Sequence, residues 1–249
     1  MGRSQPPGEP TVRRARREGT NSSLGSHAML CGAALLLWVY FFLLNRTTVT
    51  GRQRLRIEPN TLLVSNHQSS MDSFLIALGA LFPRCLFRPW MMPWNLAAEE
   101  HFYRTPLRAW FSDHLRCIPV RRGIGDPSAL RRWMTSLRRG VGIFYPEGRR
   151  SPDGTVGDAG PGVGIVILAT RPYVVPVAIE GMREVVRFDR FGLRFFRRID
   201  ISFGEPIEFM EESPATGSRG REEARRVAAV VMERVRRHHA DLCASMDRP

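Results

Sequence analysis

Residues 61–81 read Thr61-Leu62-Leu63-Val64-Ser65-Asn66-His67-Gln68-Ser69-Ser70-Met71-Asp72-Ser73-Phe74-Leu75-Ile76-Ala77-Leu78-Gly79-Ala80-Leu81. The first five are a short apolar run of strand length and predict a buried strand. The stretch from about Met71 to Leu81 is too long for a second strand and predicts a helix. Five polar residues separate the two. Further along, strands are expected at 84–90, 117–120, 141–145, 173–179 and 198–203. Helices are expected at 106–114, 127–138, 160–170 and 219–242. Pro127 suits the first turn of its helix. In the last helix Val227, Val230, Val231 and Val235 fall on one face. Strands alternating with helices give an α/β domain with a mixed, mainly parallel sheet flanked by helices.

The chain has 249 residues, enough for one full domain with appendages. Hydrophobic residues make up 43%, so a packed core rather than disorder is expected. Net charge is +13, and all 37 basic residues are arginine, a positive charge that pH does not titrate away. Such a surplus calls for an anionic partner, either nucleic acid or an anionic membrane. Cys31, Cys85, Cys117 and Cys243 form no CxxC pair and no Cys/His ligand spacing, so neither a disulfide framework nor a structural zinc site is expected.

The polar, arginine- and proline-containing residues 1–27 read as a basic disordered tail. Residues 28–45 contain the apolar run from Ala28 to Leu44, at the short edge of what spans a bilayer. A cleaved signal peptide, a spanning helix and a half-inserted monotopic helix compete for it. The bulky Phe41-Phe42-Leu43-Leu44 speaks against cleavage, and the monotopic form is favoured. This N-terminal hydrophobic membrane helix precedes an α/β domain over residues 50–215. An amphipathic helix and tail occupy 216–249.

Candidate chemistry sits after the strands, the edge at which α/β sheets bind ligands. His67 and Asp72 are five residues apart. On one continuous helix they would point about 140° away from each other. They can meet only if His67 lies in the loop and Asp72 opens the helix, with Ser69 or Ser70 as N-cap. Asp72 would then fix the imidazole tautomer and leave the other nitrogen as a base. In Tyr145-Pro146-Glu147-Gly148-Arg149-Arg150-Ser151 the proline and glycine force a tight turn, and its arginines suit bidentate phosphate binding. The same stretch also reads as a charged surface turn. Ile118-Pro119-Val120-Arg121-Arg122-Gly123 is a strand ending in two arginines. Val175-Pro176-Val177-Ala178-Ile179 reads as a strand near an edge or bulge because of its proline.

In this order the four blocks resemble those of the glycerophospholipid acyltransferase family, whose best-known members acylate 1-acylglycerol-3-phosphate. The resemblance covers roughly residues 55–205. It implies that His67 is the general base and Asp72 its orienting partner, with Arg122, Glu147, Gly148, Arg149, Arg150 and Ser151 handling the phosphate-bearing acceptor. The chain departs from the family where Arg149 replaces a usual threonine, Arg121 a common acidic residue, and Ala98 a frequent lysine.

The implied reaction moves a fatty acyl group from acyl-CoA or acyl carrier protein onto the free hydroxyl of a lysophospholipid, foremost 1-acylglycerol-3-phosphate to give phosphatidic acid; the alternatives are transfer to another lysophospholipid or an aminolipid, and a non-catalytic protein that binds anionic membranes. No cofactor and no metal is called for. Expected partners are the lipid acceptor, the thioester donor and an anionic membrane, with acyl carrier protein as one donor and no nucleic acid. The expected place is the inner or plasma membrane, with the catalytic domain facing the cytoplasm. Phe188, Phe191, Phe195 and Phe196 alternate with arginines, a pattern suited to a membrane interface, to stacked bases, or to plain core-and-surface alternation.

Overall fold

The structure is a computed structural model that describes residues 24–88, 91–121, 126–186, 192–209 and 217–246. Most of the expected basic tail, Arg122, Phe188 and Phe191 lie outside these residues.

The element expected from the opening stretch is present. Strand β2 spans Thr61–Ser65 and is wholly buried, and helix α2 spans Asp72–Leu81. Before them come helix α1 (Leu24–Trp38), a π-helical continuation over Val39–Leu43, and strand β1 (Arg46–Thr50). After them follow α3 (Arg84–Phe87), β3 (Asn95–Ala98), α4 (Glu99–Phe102), α5 (Pro106–His114), β4 (Cys117–Val120) and α6 (Pro127–Leu137). Then come β5 (Val141–Phe144), α7 (Gly162–Thr170), β6 (Tyr173–Glu180), α8 (Met182–Val185), β7 (Arg198–Phe203) and α9 (Gly217–Met246).

Five strands form one sheet in the order β1-β7-β6-β2-β5. Every pairing in it is parallel except β6 with β7. Strand residues alternate between two cores. Leu63 and Val175 face the side covered by α1 and α2. Leu62 and Val64 face the side covered by α6, α7 and α9. A strand buried on both faces has no polar alternation, which is why 61–65 reads as one apolar run. Helices α7 and α9 cross so closely that a Cβ on Gly164 would fall 1.8 Å from the Ala224 carbonyl oxygen.

Four expectations need correction. Residues 84–87 form a helical turn, not a strand; Pro83 stands at its N-cap and presets the backbone. Among the described residues strand β4 pairs only with β3, in a separate two-stranded sheet joined to the main one by the Trp94–Gly142 bridge. Strand β6 is central rather than at an edge. It tolerates Pro176 because that residue lies beyond the β7 ladder, which begins at Val177, while its carbonyl still accepts Gly204 N–H at 2.9 Å. Val230 turns to solvent at 51% exposure, while Val231 and Val235 are fully buried. Strands β1 and β3 were not foreseen. The first is a half-exposed Arg-Thr-Thr-Val-Thr run with no apolar signature, and the second has only four residues.

No helix among the described residues is long and apolar enough to cross a membrane, which overturns the spanning reading of 28–45. That segment instead packs into the domain. Phe41 and Tyr40 are buried, the Tyr40 hydroxyl donates to the Arg194 carbonyl at 3.0 Å, and Trp38 stacks on Phe82 with ring centroids 5.1 Å apart. Its other side leaves Leu35, Leu36 and Leu43 exposed.

Candidate active site

The loop between β2 and α2 brings His67 and Asp72 together. His67 Nδ1 lies 2.8 Å from Asp72 Oδ2, with Asp72 wholly buried and the imidazole 14% exposed. The same oxygen accepts the backbone N–H groups of Gln68 at 2.6 Å and Ser69 at 2.8 Å. An oxygen that already takes two N–H donors acts as an acceptor, so Nδ1 is the donor and Nε2 carries the lone pair. The N-cap is Met71, without a side-chain cap bond, rather than Ser69 or Ser70. Asp72 itself folds back onto the loop amides, while Ser69 Oγ accepts Met71 N–H at 3.2 Å. The other Asp72 oxygen, Oδ1, is buried with no hydrogen-bond partner among the described residues. Such an orphan is costly and marks a carboxylate that packing alone does not justify.

Asn66 and Gln68, on either side of the histidine, tie the loop to β6. Asn66 Nδ2 donates to the Ile179 carbonyl and Asn66 Oδ1 accepts Ile179 N–H, both at 2.9 Å. Gln68 Nε2 donates to Glu180 Oε2 at 2.9 Å, and its Oε1 accepts Met182 N–H at 3.1 Å. Both side chains are buried. The Val175–Ile179 block is therefore the anchor rail of the His67 loop.

The turn after β5 completes the site. Tyr145 stacks on the His67 ring with centroids 3.9 Å apart and planes 14° from parallel. Its hydroxyl hydrogen-bonds Ser73 Oγ at 2.9 Å. Burial, helped by the Asp72 charge, pushes the Tyr145 phenol well above its usual range, so it stays neutral. Glu147 Oε1 accepts His67 N–H at 3.3 Å and Oε2 accepts Gly157 N–H at 3.2 Å. Burial raises the Glu147 carboxyl above its ordinary value, against the pull of those two N–H donors. Ser151 N–H donates to the His67 carbonyl at 2.7 Å. Its Oγ bonds Asp153 and Gly154. Both backbone groups of His67 are thus held by the turn that the sequence offered for acceptor binding. Glu147 and Ser151 are seen in a positioning role.

Gly148 closes the turn at φ 66°, and a Cβ built on it meets nothing within 4 Å. It is needed for its left-handed backbone and not for space. Arg149 is exposed beside it, and Arg150 is half-buried. In the remaining block Arg121 Nε pairs with Glu99 Oε2 at 3.1 Å on the small sheet. No motif announces the parts played by Asn66, Gln68, Ser73, Tyr145 and Glu180. The available signal was two amides flanking a histidine at the end of a buried strand.

The arrangement holds one imidazole nitrogen bare, at the carboxyl edge of a mainly parallel sheet, and can take a proton from a bound hydroxyl. The Acyltransferase family model matches residues 46–180. The chloroplastic 1-acyl-sn-glycerol-3-phosphate acyltransferase of Arabidopsis thaliana is 27% identical over 150 residues, 58% of this chain and 38% of that protein. Tafazzin of Drosophila melanogaster is 27% identical over 184 residues, 68% of this chain and 48% of that protein. The chain thus spans less than half the length of these two curated relatives. The crystal structure of the 1-acyl-sn-glycerophosphate acyltransferase PlsC from Thermotoga maritima aligns with a TM-score of 0.64 at 24% identity. It covers 88% of this chain and 80% of that one. That likeness shows the same fold.

Proposed function

The chain belongs to the acyltransferase family, and from that premise we propose that it transfers a fatty acyl group from an acyl thioester to the free hydroxyl of a lysophospholipid. The acceptor that fits best is 1-acylglycerol-3-phosphate, giving phosphatidic acid. The observation that carries this reading is the His67–Asp72 pair, 2.8 Å apart with Nε2 bare.

His67 Nε2 takes the proton as the acceptor oxygen attacks the thioester carbonyl. The C–S bond breaks, and the imidazolium returns the proton to the departing thiolate. Asp72 stabilises the charge on the imidazole between these events. A base so placed supplies about 10²- to 10⁴-fold in rate. Arg149 and Arg150 would meet the acceptor phosphate at the mouth of the turn; the resemblance gives Arg122 the same task, and that residue lies outside those described.

The membrane reading rests on the outer surface of α1 and its neighbour. Leu36 on α1 and Leu43 on its π-helical continuation are 74% and 63% exposed. Phe196, 78% exposed, is joined to Leu44 through a backbone hydrogen bond of 2.7 Å, with exposed Arg197 next to it. Leucine and phenylalanine at the acyl boundary with arginine at the phosphates fit a monotopic seat on an anionic bilayer. A cytoplasmic face for the domain follows from a donor such as acyl-CoA or acyl carrier protein.

A second acceptor class is favoured by one feature. Arg149 stands where the resemblance expects threonine, and a lysolipid with a larger head group would meet it. Incubating the purified chain with labelled acyl-CoA and a panel of lysolipids decides between them. Labelled phosphatidic acid supports the first reading and labelled product from another lysolipid the second. No product from any acceptor refutes both.

A further inference from the structure

A cluster outside the catalytic pair brings an imidazole, a carboxylate and a thiol to one point, where α9 lies against the end of β6. His239 Nε2 lies 2.9 Å from Glu180 Oε2, and the two side chains are only 12% and 19% exposed. Cys243 Sγ lies 3.8 Å from His239 Nε2. One ligand atom from each of the three residues falls within 4.8 Å of the others. His239 and Cys243 are four apart on a 30-residue helix, so they share a face on a rigid element. The spacing is a metal-ligand spacing that the cysteine count alone did not reveal.

From these distances we propose that Glu180, His239 and Cys243 form a site for one thiophilic divalent cation of the zinc or cobalt class. Tetrahedral zinc holds nitrogen and oxygen at about 2.0–2.2 Å and sulfur at about 2.3 Å, which sets neighbouring ligand atoms roughly 3.3–3.6 Å apart. The observed separations of 2.9 and 3.8 Å lie on either side of that range, within a small side-chain adjustment. Three protein ligands leave a fourth position for water. Mixed thiolate, imidazole and carboxylate donors select a borderline-soft ion over magnesium or calcium.

The balance is simple. Cys243 releases its thiol proton on binding. His239 binds through Nε2, with its ring proton on Nδ1, and Glu180 Oε2 exchanges its imidazole hydrogen bond for the ion. The orienting contacts already exist. Gln68 Nε2 donates to Glu180 Oε2 at 2.9 Å, and Gly181 N–H donates to Glu180 Oε1 at 3.0 Å. Such outer partners fix the ligand carboxylate. Gln68 belongs to the loop that carries His67, so a bound ion fastens α9 to that loop. The proposal concerns ion binding and stands whether or not the chain transfers acyl groups.

The test is a titration of the full purified chain, first stripped with a chelator, with Co²⁺. One equivalent should give a saturable thiolate-to-cobalt charge-transfer band in the near ultraviolet, and added Zn²⁺ should bleach it. Cys243→Ser should abolish the band and His239→Ala should weaken binding at least tenfold, whereas Cys117→Ser should leave it unchanged. Zn²⁺ should raise the melting temperature of the parent chain by several degrees and that of Cys243→Ser not at all. Metal-free melting of each variant checks its fold, and if one variant fails to fold the other carries the test. A missing band, or one that persists in Cys243→Ser or at full affinity in His239→Ala, overturns the proposal.

Discussion

The loop from Asn66 to Asp72 and the apolar surface of α1 with residues 193–196 are built on opposite plans. In the loop, both amide side chains and both backbone groups of His67 are engaged with β6, α8 or the turn after β5, while the Asp72 carboxylate takes the His67 ring and two amides of the loop itself. On the surface, Leu36, Leu43, Leu193 and Phe196 stand more than half exposed, and the polar side chains that anchor the segment, Tyr40 and Asn45, lie buried beneath them. The difference teaches where each region spends its stability. A base must be held within a fraction of an ångström before substrate arrives. An interface with a bilayer needs area and no fixed geometry.

The contrast can be broken most severely at the base. His67→Ala should lower acyl transfer by about 10²- to 10⁴-fold. It should leave the melting temperature and vesicle binding near those of the parent, because the backbone contacts of residue 67 survive. Transfer at the parent rate would remove the loop's catalytic reading. The clamp comes next. Asn66→Ala leaves the buried N–H and C=O of Ile179 without their partner, at about 1–3 kcal/mol for each such group. Denaturant unfolding should show a loss of that order, with transfer falling as well. A neutral result would mean the loop is not held by β6.

Asp72→Asn should act more gently. The amide oxygen can replace Oδ2 as acceptor, so the geometry is kept while the charge facing the imidazolium is lost. A charged hydrogen bond is worth about 1.5–3 kcal/mol, which converts to roughly 10- to 100-fold in transfer rate. The surface gives a different signature. Leu36→Asp with Phe196→Asp should weaken sedimentation with anionic vesicles several-fold. The melting temperature should move little, since exposed sites rarely matter to stability. Retained vesicle binding would place the membrane contact elsewhere.

The smallest effect concerns Glu147. Its folded value lies above the ordinary 4.5, so the folded chain binds the proton more tightly than the unfolded one. That contribution is most favourable below 4.5 and is lost as pH rises from there through the raised value. Glu147→Gln should flatten this part of the stability profile, by about 2 °C in melting temperature. An identical pH profile in parent and variant would show that the carboxyl is not strained by burial.

How much was legible follows the same division. The strand and helix that carry the pair announced themselves because residues 61–65 are buried on both faces and 74–81 are apolar throughout. The five-residue spacing required a loop histidine and a carboxylate opening the helix, and the structure places them so. The clamp was not legible, since nothing in the spacing of Asn66 and Gln68 states that Ile179 and Glu180 lie opposite. That depends on β2 and β6 being neighbours, a pairing of strands more than a hundred residues apart. The resemblance implies that Glu147 and Ser151 serve the acceptor, and the structure adds that both hold the backbone of His67. Residue type cannot tell a carboxylate that faces a ligand from one that holds a backbone amide. Strand β1 was missed for want of apolar residues, although β7 alongside it was found with its observed limits.

The central claim is that Asp72 holds the imidazole of His67 protonated on Nδ1 and bare on Nε2. Nitrogen-15 correlation spectra of the histidine rings, with His67→Ala used to assign the signal, read this directly. At neutral pH the His67 ring should show a protonated Nδ1 and an unprotonated Nε2. A ring protonated on Nε2 instead, or one exchanging freely between the two tautomers, would contradict the account.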